Sequence, residues 1–368
     1  MEQLTNLSNP IILRKSLEAV IQLAERYKEE KGRIPVFMEV CGSHTMAFAK
    51  TGIKMTLKNH VRLIAGPGCP VCVTDQKSID TMIELSKDTN HILCTFGDMM
   101  RIPGSKFSLM DAKTEGKDIR VVYSPLDSIK IAEENPVREV IFLGIGFETT
   151  IPILTAAIQE AEKKRLTNYT IWMTTKLVEP VLRTLLNSKE INIDGFLLPG
   201  HVSVVTGKNS FDFLVEDYHV PGVITGFEPV ELLRGIYKLL QQLLNEKIEI
   251  INDYPYMVKN EGNVVAKKLM EKYLDYYDEA WRGMGVIQNS GFTLKHKYEK
   301  YDAKKKFHVS VSEPRKTKCR CGEIIQGVIT PEECVLFNKG CTPIFPIGPC
   351  MVSTEGTCAA HYQYMREE

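Results

Sequence analysis

IPVFMEVCGSHT, residues 34–45, is the stretch from which the fold is read. Residues 34–40 are apolar but for Glu39 and rich in strand formers, and they run straight into Cys-Gly-Ser-His-Thr. A short apolar run with a glycine loop at its end suits a strand buried on both faces, as in a parallel sheet. The same pattern recurs along the chain: 61–65 runs into GPGCPVC, 91–96 into GDMMRIPGS, and 119–123 into Ser124-Pro125 and a helix that stops before Pro136. Ahead of the first strand, a helix opens at Pro10. It carries Leu13, Leu17, Val20, Ile21, Ala24 and Tyr27 at helical spacing and closes at Gly32. Beyond residue 136 the rhythm resumes. Strand 139–143 precedes GIGFETT and a helix over 152–164, and strand 169–174 precedes a helix to 187. Strand 195–198 precedes PGHVS, and strand 222–225 precedes GFEP and a long helix to 246.

Strands alternating with helices predict an α/β fold with parallel sheets. The two passes of the pattern predict two similar α/β domains, 1–135 and 136–230, facing each other across a cleft. A smaller irregular C-terminal region is expected over 231–368. CGSHT, GPGCPVC, GDMMR, GFETT, PGHVS and GFEP each follow a strand, and ligands of open α/β sheets bind outside the carboxyl ends of the strands. All six loops are therefore expected to line the cleft. For any one of them, glycine and proline after a strand also make an ordinary turn.

The chain has 368 residues, 43% hydrophobic and 25% charged, with 46 basic and 46 acidic side chains. A formal charge of zero lacks the basic footprint of a nucleic-acid binder. The Lys295–Lys306 cluster, interrupted by Tyr298, Glu299 and Asp302, reads as a solvated face. MEQLTNLSNP has neither a basic start nor an apolar run, and no stretch is apolar enough to span a membrane, so a cytoplasmic protein is expected. Ten cysteines in a reducing compartment argue for metal or redox chemistry over structural disulfides.

The cysteines form two groups. Cys319, Cys321, Cys334, Cys341, Cys350 and Cys358 crowd the last 50 residues, where long apolar runs are few and a staple is needed. Cys319, Cys334, Cys341 and Cys358 are spaced C-x14-C-x6-C-x16-C, without the short knuckle of structural zinc. That spacing leaves both an iron–sulfur cluster and zinc open. Cys321 and Cys350 read as buried apolar side chains. Near the N-terminus, Cys41, Cys69, Cys72 and Cys94 lie at strand ends. Cys41 beside His44 suits a soft transition metal such as iron; alternatively, His44 is a base or hydrogen-bond partner, or Ser43 merely caps a helix. Cys69 and Cys72 form C-P-V-C, a redox spacing in which a helix beginning near Val73 would favour the Cys72 thiolate. Asp98, Glu148, His201 and Glu228 are candidate cleft residues. The carboxylates either cap helices or orient a histidine and relay protons. No Walker A loop, clean GxGxxG or GxSxG is present.

Together these motifs, in this order and with this cysteine spacing, resemble the HypD family of hydrogenase maturation proteins along nearly the whole chain. The resemblance implies two α/β domains facing a cleft, and a third domain with a 4Fe-4S cluster on Cys319, Cys334, Cys341 and Cys358. It implies Cys41 as ligand to a transient iron carrying cyanide and CO, with His44 its neighbour and Cys69 and Cys72 as a redox pair. It further implies work on the Fe(CN)2CO unit of nickel–iron hydrogenases, together with the chaperone HypC and the cyanide donor HypE. The residues alone also admit a stand-alone thiol–disulfide oxidoreductase, which would not need Cys41, or an α/β binding protein with a zinc-stapled tail.

Overall fold

A computed structural model describes residues 9–188, 190–315 and 317–365; residues 1–8, on which the reading of the N-terminal stretch rests, lie outside them. Two parallel sheets form the frame. The first has the order β2-β1-β7-β8-β9, from Arg62–Ala65, Val36–Glu39, Gly195–Pro199, Gly222–Thr225 and Ile250–Asn252. The second has the order β4-β3-β5-β6, from Ile119–Val121, His91–Thr95, Glu139–Gly146 and Tyr169–Thr175. The fold is α/β, and β6, β7 and β8 are buried along their whole length, which is why they read as continuous apolar runs.

The division at residue 135 does not separate the sheets. The chain leaves the first sheet after β2, builds the whole second sheet, and returns to the first at β7. There Phe37 pairs with Gly195 and Met38 with Phe196. Apolar runs mark strands, but the partner of β1 is set by packing between distant segments. The division at 230 falls inside the helix Pro229–Leu244, whose Leu232, Ile236 and Leu240 share a cluster with Val20, Ala24 and Tyr27 of the helix Pro10–Lys31. That helix starts as expected. Asn9 accepts from the Ile11 N–H at 2.9 Å, Pro10 takes the first turn, and Gly32 closes it at φ 72°. β5 runs on through Gly146, so only Phe147–Thr150 of GIGFETT is loop.

The third region holds structure that the sequence reading passed over. Leu274–Trp281 (β10) and Gly285–Leu294 (β11) form an antiparallel hairpin with an irregularity near Tyr277. Its Trp281, 1% exposed, joins the central core together with Met38 and Phe196 of the first sheet and Leu143 and Ile145 of the second. After Cys319 the chain is mostly turns, with two short helices, Cys321–Ile325 and Thr357–Tyr364. Lys304, Lys305 and Lys306 pair with Glu279, Glu299 and Glu139, so this basic run is a paired surface. No helix among the described residues is long and apolar enough to cross a membrane.

Candidate metal-handling cleft and cysteine-rich tail

A cavity of about 250 Å³ lies at the carboxyl ends of strands from both sheets. Four of the six motif loops line it: Cys41 after β1, Gly68 and Pro70 after β2, Phe147 and Thr149 after β5, and His201 after β7. GDMMR and GFEP are not among its walls. The remaining walls are Val178, after β6, and Glu355, from the tail.

Cys41 caps the helix Gly42–Lys50 with its backbone and leaves its side chain to the cavity. Burial, and then the Glu355 carboxylate, push its thiol up to about 11, so it is protonated near neutrality. Ser43 does not cap the helix; its Oγ donates to Glu355 Oε1 at 2.7 Å and ties the tail to the cleft. His44 is fully buried and is not among the cavity walls. Its Nε2 lies 3.1 Å from Gly226 O and therefore carries the proton, while Nδ1 is buried without a partner. Desolvation drives its pKa down to about 4, so it is neutral. Phe227 of GFEP lies between the histidines, 4.7 Å from the His44 ring and stacked at 4.0 Å on His201. GFEP thus supports the wall from behind.

Cys69 and Cys72 are joined as a disulfide, buried against the cleft floor. The reason for the glycine-rich frame is close approach. A Cβ on Gly68 would fall 2.2 Å from Val40 O and 2.4 Å from the Gly42 nitrogen, so only glycine lets this loop lie on the backbone of Cys41. The short helix begins at Pro70, not near Val73, and its Cys72 N–H points at Cys69 Sγ, 3.2 Å away. The sulfur favoured by the helix start is therefore Cys69, because the helix begins three residues earlier than expected and Cys69 is its cap. Ser353 Oγ sits 3.3 Å from the same sulfur.

The other candidates separate. Glu148, 7% exposed, accepts from the Val178 N–H at 2.8 Å; its Oε2 is buried without a partner, and desolvation lifts its pKa to about 7. Asp98 is exposed and accepts from Thr354 Oγ1 at 2.9 Å, a contact to the tail. Glu228 is exposed at the start of Pro229–Leu244, where its N–H donates to Glu231 Oε2 at 3.1 Å; it is a helix-cap residue, as its place before Pro229 allows. Cys94 is buried within β3 and takes no part in the cavity.

Cys319, Cys334, Cys341 and Cys358 line one small apolar hollow with Leu336 and Met351. Cys321 lines it too, its sulfur 3.0 Å from that of Cys319, whereas Cys350 is buried just behind it, in hydrogen-bond contact with Cys321 and Cys358. Among the described residues no three His, Cys, Asp or Glu side chains stand as a ready-made ion site. The donors are soft, clustered and largely buried, and the hydrogen bond to Cys321, then burial, push the Cys319 thiol up. That donor set fits a soft, multiply charged centre, which would stabilise the thiolates.

The HypD family model, described as the hydrogenase formation hypA family, matches residues 15–365. The chain belongs to the HypD family. A HypD hydrogenase maturation factor of Escherichia coli is 41% identical over 363 residues, covering 95% of this chain and 96% of that protein. One from Rhodobacter capsulatus is 40% identical, covering 97% and 96%. A putative hydrogenase expression/formation protein of Methanocaldococcus jannaschii is 39% identical, covering 98% and 99%.

In this HypD chain, three contributors escaped the sequence reading: Ser353 and Glu355 in the tail, and Phe227 in the loop after β8. The polar run Ser353-Thr354-Glu355 between two cysteines was the available signal for the first two. Nothing local marked Phe227 as a wedge between two histidines.

Proposed function

We propose that this chain is a HypD-type scaffold that holds iron on Cys41 while the Fe(CN)2CO unit of nickel–iron hydrogenases is assembled, with HypC sharing the iron and HypE supplying cyanide. The observation that carries this reading is the convergence, on one small cavity, of the Cys41 thiol, the Cys69–Cys72 loop and the cysteine-rich tail. Cyanide and CO bind electron-rich iron, and a single thiolate in a water-poor cavity suits that substrate. His44, neutral behind the wall, adds no charge there, so Glu355 is the acidic side chain beside the thiol. Cys319, Cys334, Cys341 and Cys358 would hold a 4Fe-4S cluster, which when bound supplies single electrons. Reduction of the Cys69–Cys72 disulfide takes two electrons and two protons and yields two thiols. The 3.3 Å contact between Ser353 Oγ of the tail and Cys69 Sγ supports an exchange of electrons between the tail and this disulfide.

The test is infrared spectroscopy on anaerobically purified protein co-produced with HypC and HypE. Bands of bound cyanide and CO are expected, and Cys41→Ala should abolish them without unfolding the chain. Bands that persist in that variant move the iron ligand elsewhere. The buried disulfide also suits a stand-alone thiol–disulfide oxidoreductase. That reading predicts thiol-exchange activity untouched by Cys41→Ala and lost in Cys69→Ser or Cys72→Ser.

A further inference from the structure

The turn between β10 and β11 is wedged between the C-P-V-C loop and the cysteine-rich tail. On one side the Arg282 N–H donates to Val73 O at 2.8 Å, Nε to Thr74 O at 3.0 Å and Nη1 to Gln76 Oε1 at 3.1 Å. On the other side Gly283 lies directly on Gly322. A Cβ added to Gly283 would come within 2.5 Å of the Gly322 Cα, and Gln326 Nε2 donates to Gly283 O at 3.3 Å. Val73 follows Cys72, and Gly322 follows Cys321. One turn thus grips the chain just after a cysteine of each group. The Arg282 Nη2 is buried and has no hydrogen-bond partner among the described residues, and the guanidinium's field reaches both Cys319 and Cys321.

We propose that Arg282 is a positioning residue that sets the reduction equilibrium of the tail's metal centre and holds that centre against the Cys69–Cys72 loop. The proposal rests on reading the tail as an iron–sulfur site. An electron added to a thiolate-held centre adds negative charge. A fixed guanidinium, partly withdrawn from water, stabilises the reduced form more than the oxidised one. The planar fork also explains why arginine serves here. Three of its N–H groups, backbone and side chain, are spent on the C-P-V-C side, and a donor and the charge remain for the other.

The experiment uses the full chain, reconstituted anaerobically with iron and sulfide, as wild type, Arg282→Met and Arg282→Lys. Two readouts are taken at poised potentials: the electron paramagnetic resonance signal of the reduced centre, and alkylation of Cys69 and Cys72 followed by mass spectrometry. Arg282→Met should disfavour reduction of the centre about tenfold, a midpoint lower by about 59 mV for one electron. It should also disfavour the dithiol form of Cys69–Cys72 at least threefold. Arg282→Lys should recover most of the first shift, because the charge remains, and little of the second, because the fork is lost. Should Arg282→Met fail to take up iron, Arg282→Gln, which also removes the charge, carries the comparison. Equal midpoints in wild type and loaded variants would overturn the proposal while leaving the iron–sulfur reading intact. A wild type that takes up no iron and sulfide would instead sink that reading, and with it the proposed effect on the centre. The disulfide titration then decides the remaining claim, and an unchanged midpoint in Arg282→Met removes Arg282 from the redox path altogether.

Discussion

His44 and Glu148 are two buried ionisable groups on the flanks of one cavity, and both are held neutral by desolvation. Their effects on stability have opposite signs. His44 is neutral in the folded chain down to about pH 4, whereas an unfolded histidine takes its proton near 6.5. Its contribution is therefore lost as pH falls through that window. Glu148 keeps its proton up to about pH 7 when folded, and an unfolded glutamate loses it near 4.3. Its contribution is present at low pH and lost as pH rises towards 7. Each slope is worth roughly 3 kcal/mol across its window, so they nearly cancel between about pH 4.5 and 6.5. Urea midpoints of the wild type should be flat there. Glu148→Gln should become acid-labile, and His44→Gln should lose stability as pH rises. Parallel, flat profiles in both variants would show that neither group is neutralised by burial.

At the level of elements, the loops after β1 and β2 are locked together by the absence of a side chain at Gly68. Gly68→Ala drives a methyl group into the backbone of Val40, Cys41 and Gly42, where nothing flexible can yield. A loss of about 1–3 kcal/mol is expected from denaturant unfolding. The same variant should shift the alkylation pattern of Cys41 and Cys72, because the two loops part. In the tail, Ala replacements of Cys319, Cys334, Cys341 or Cys358 should each remove the visible iron–sulfur absorption of reconstituted protein. Cys321→Ala and Cys350→Ala should leave it. The crowding of Cys321 against Cys319 makes Cys321 the informative control. Bleaching by Cys321→Ala, with colour retained in Cys319→Ala, would exchange the two in the ligand set.

On the scale of the molecule, both sheets and the hairpin share one core, so the two α/β units should not melt separately. Trp281 sits in that core, donates from Nε1 to Ser290 Oγ at 2.8 Å, and pairs through its backbone with Thr74 beside the C-P-V-C loop. Trp281→Ala should cost about 3–5 kcal/mol while leaving a single unfolding transition by both circular dichroism and fluorescence. Two resolved transitions in the wild type would show that the units are energetically independent. The shared core also explains why the tail can reach the cleft. Cys41 and the tail cysteines, expected in separate domains, are bridged by Ser43 and Glu355.

Strand positions, the α/β class, the loops at strand ends and the grouping of the cysteines were all legible in the chain, because each is a local pattern of apolar runs, glycines and thiols. Pro10, Ser124 and Gly32 mark helix ends by chemistry that acts within a turn, and the structure keeps them there. The order of strands was not legible. β1 lies between β2 and β7, and whether a distant run returns to the same sheet depends on the summed packing of segments that no local pattern connects. Nor could the hairpin's role be read, since Arg282 and Gly283 acquire meaning only where Val73 and Gly322 meet them. His44, read as a neighbour of the metal, stands behind the wall because Phe227 occupies the space between the two histidines. Residue types and their spacing determined what chemistry the chain can perform. Long-range packing, through burial and close backbone approach, decided which of those residues share a cavity.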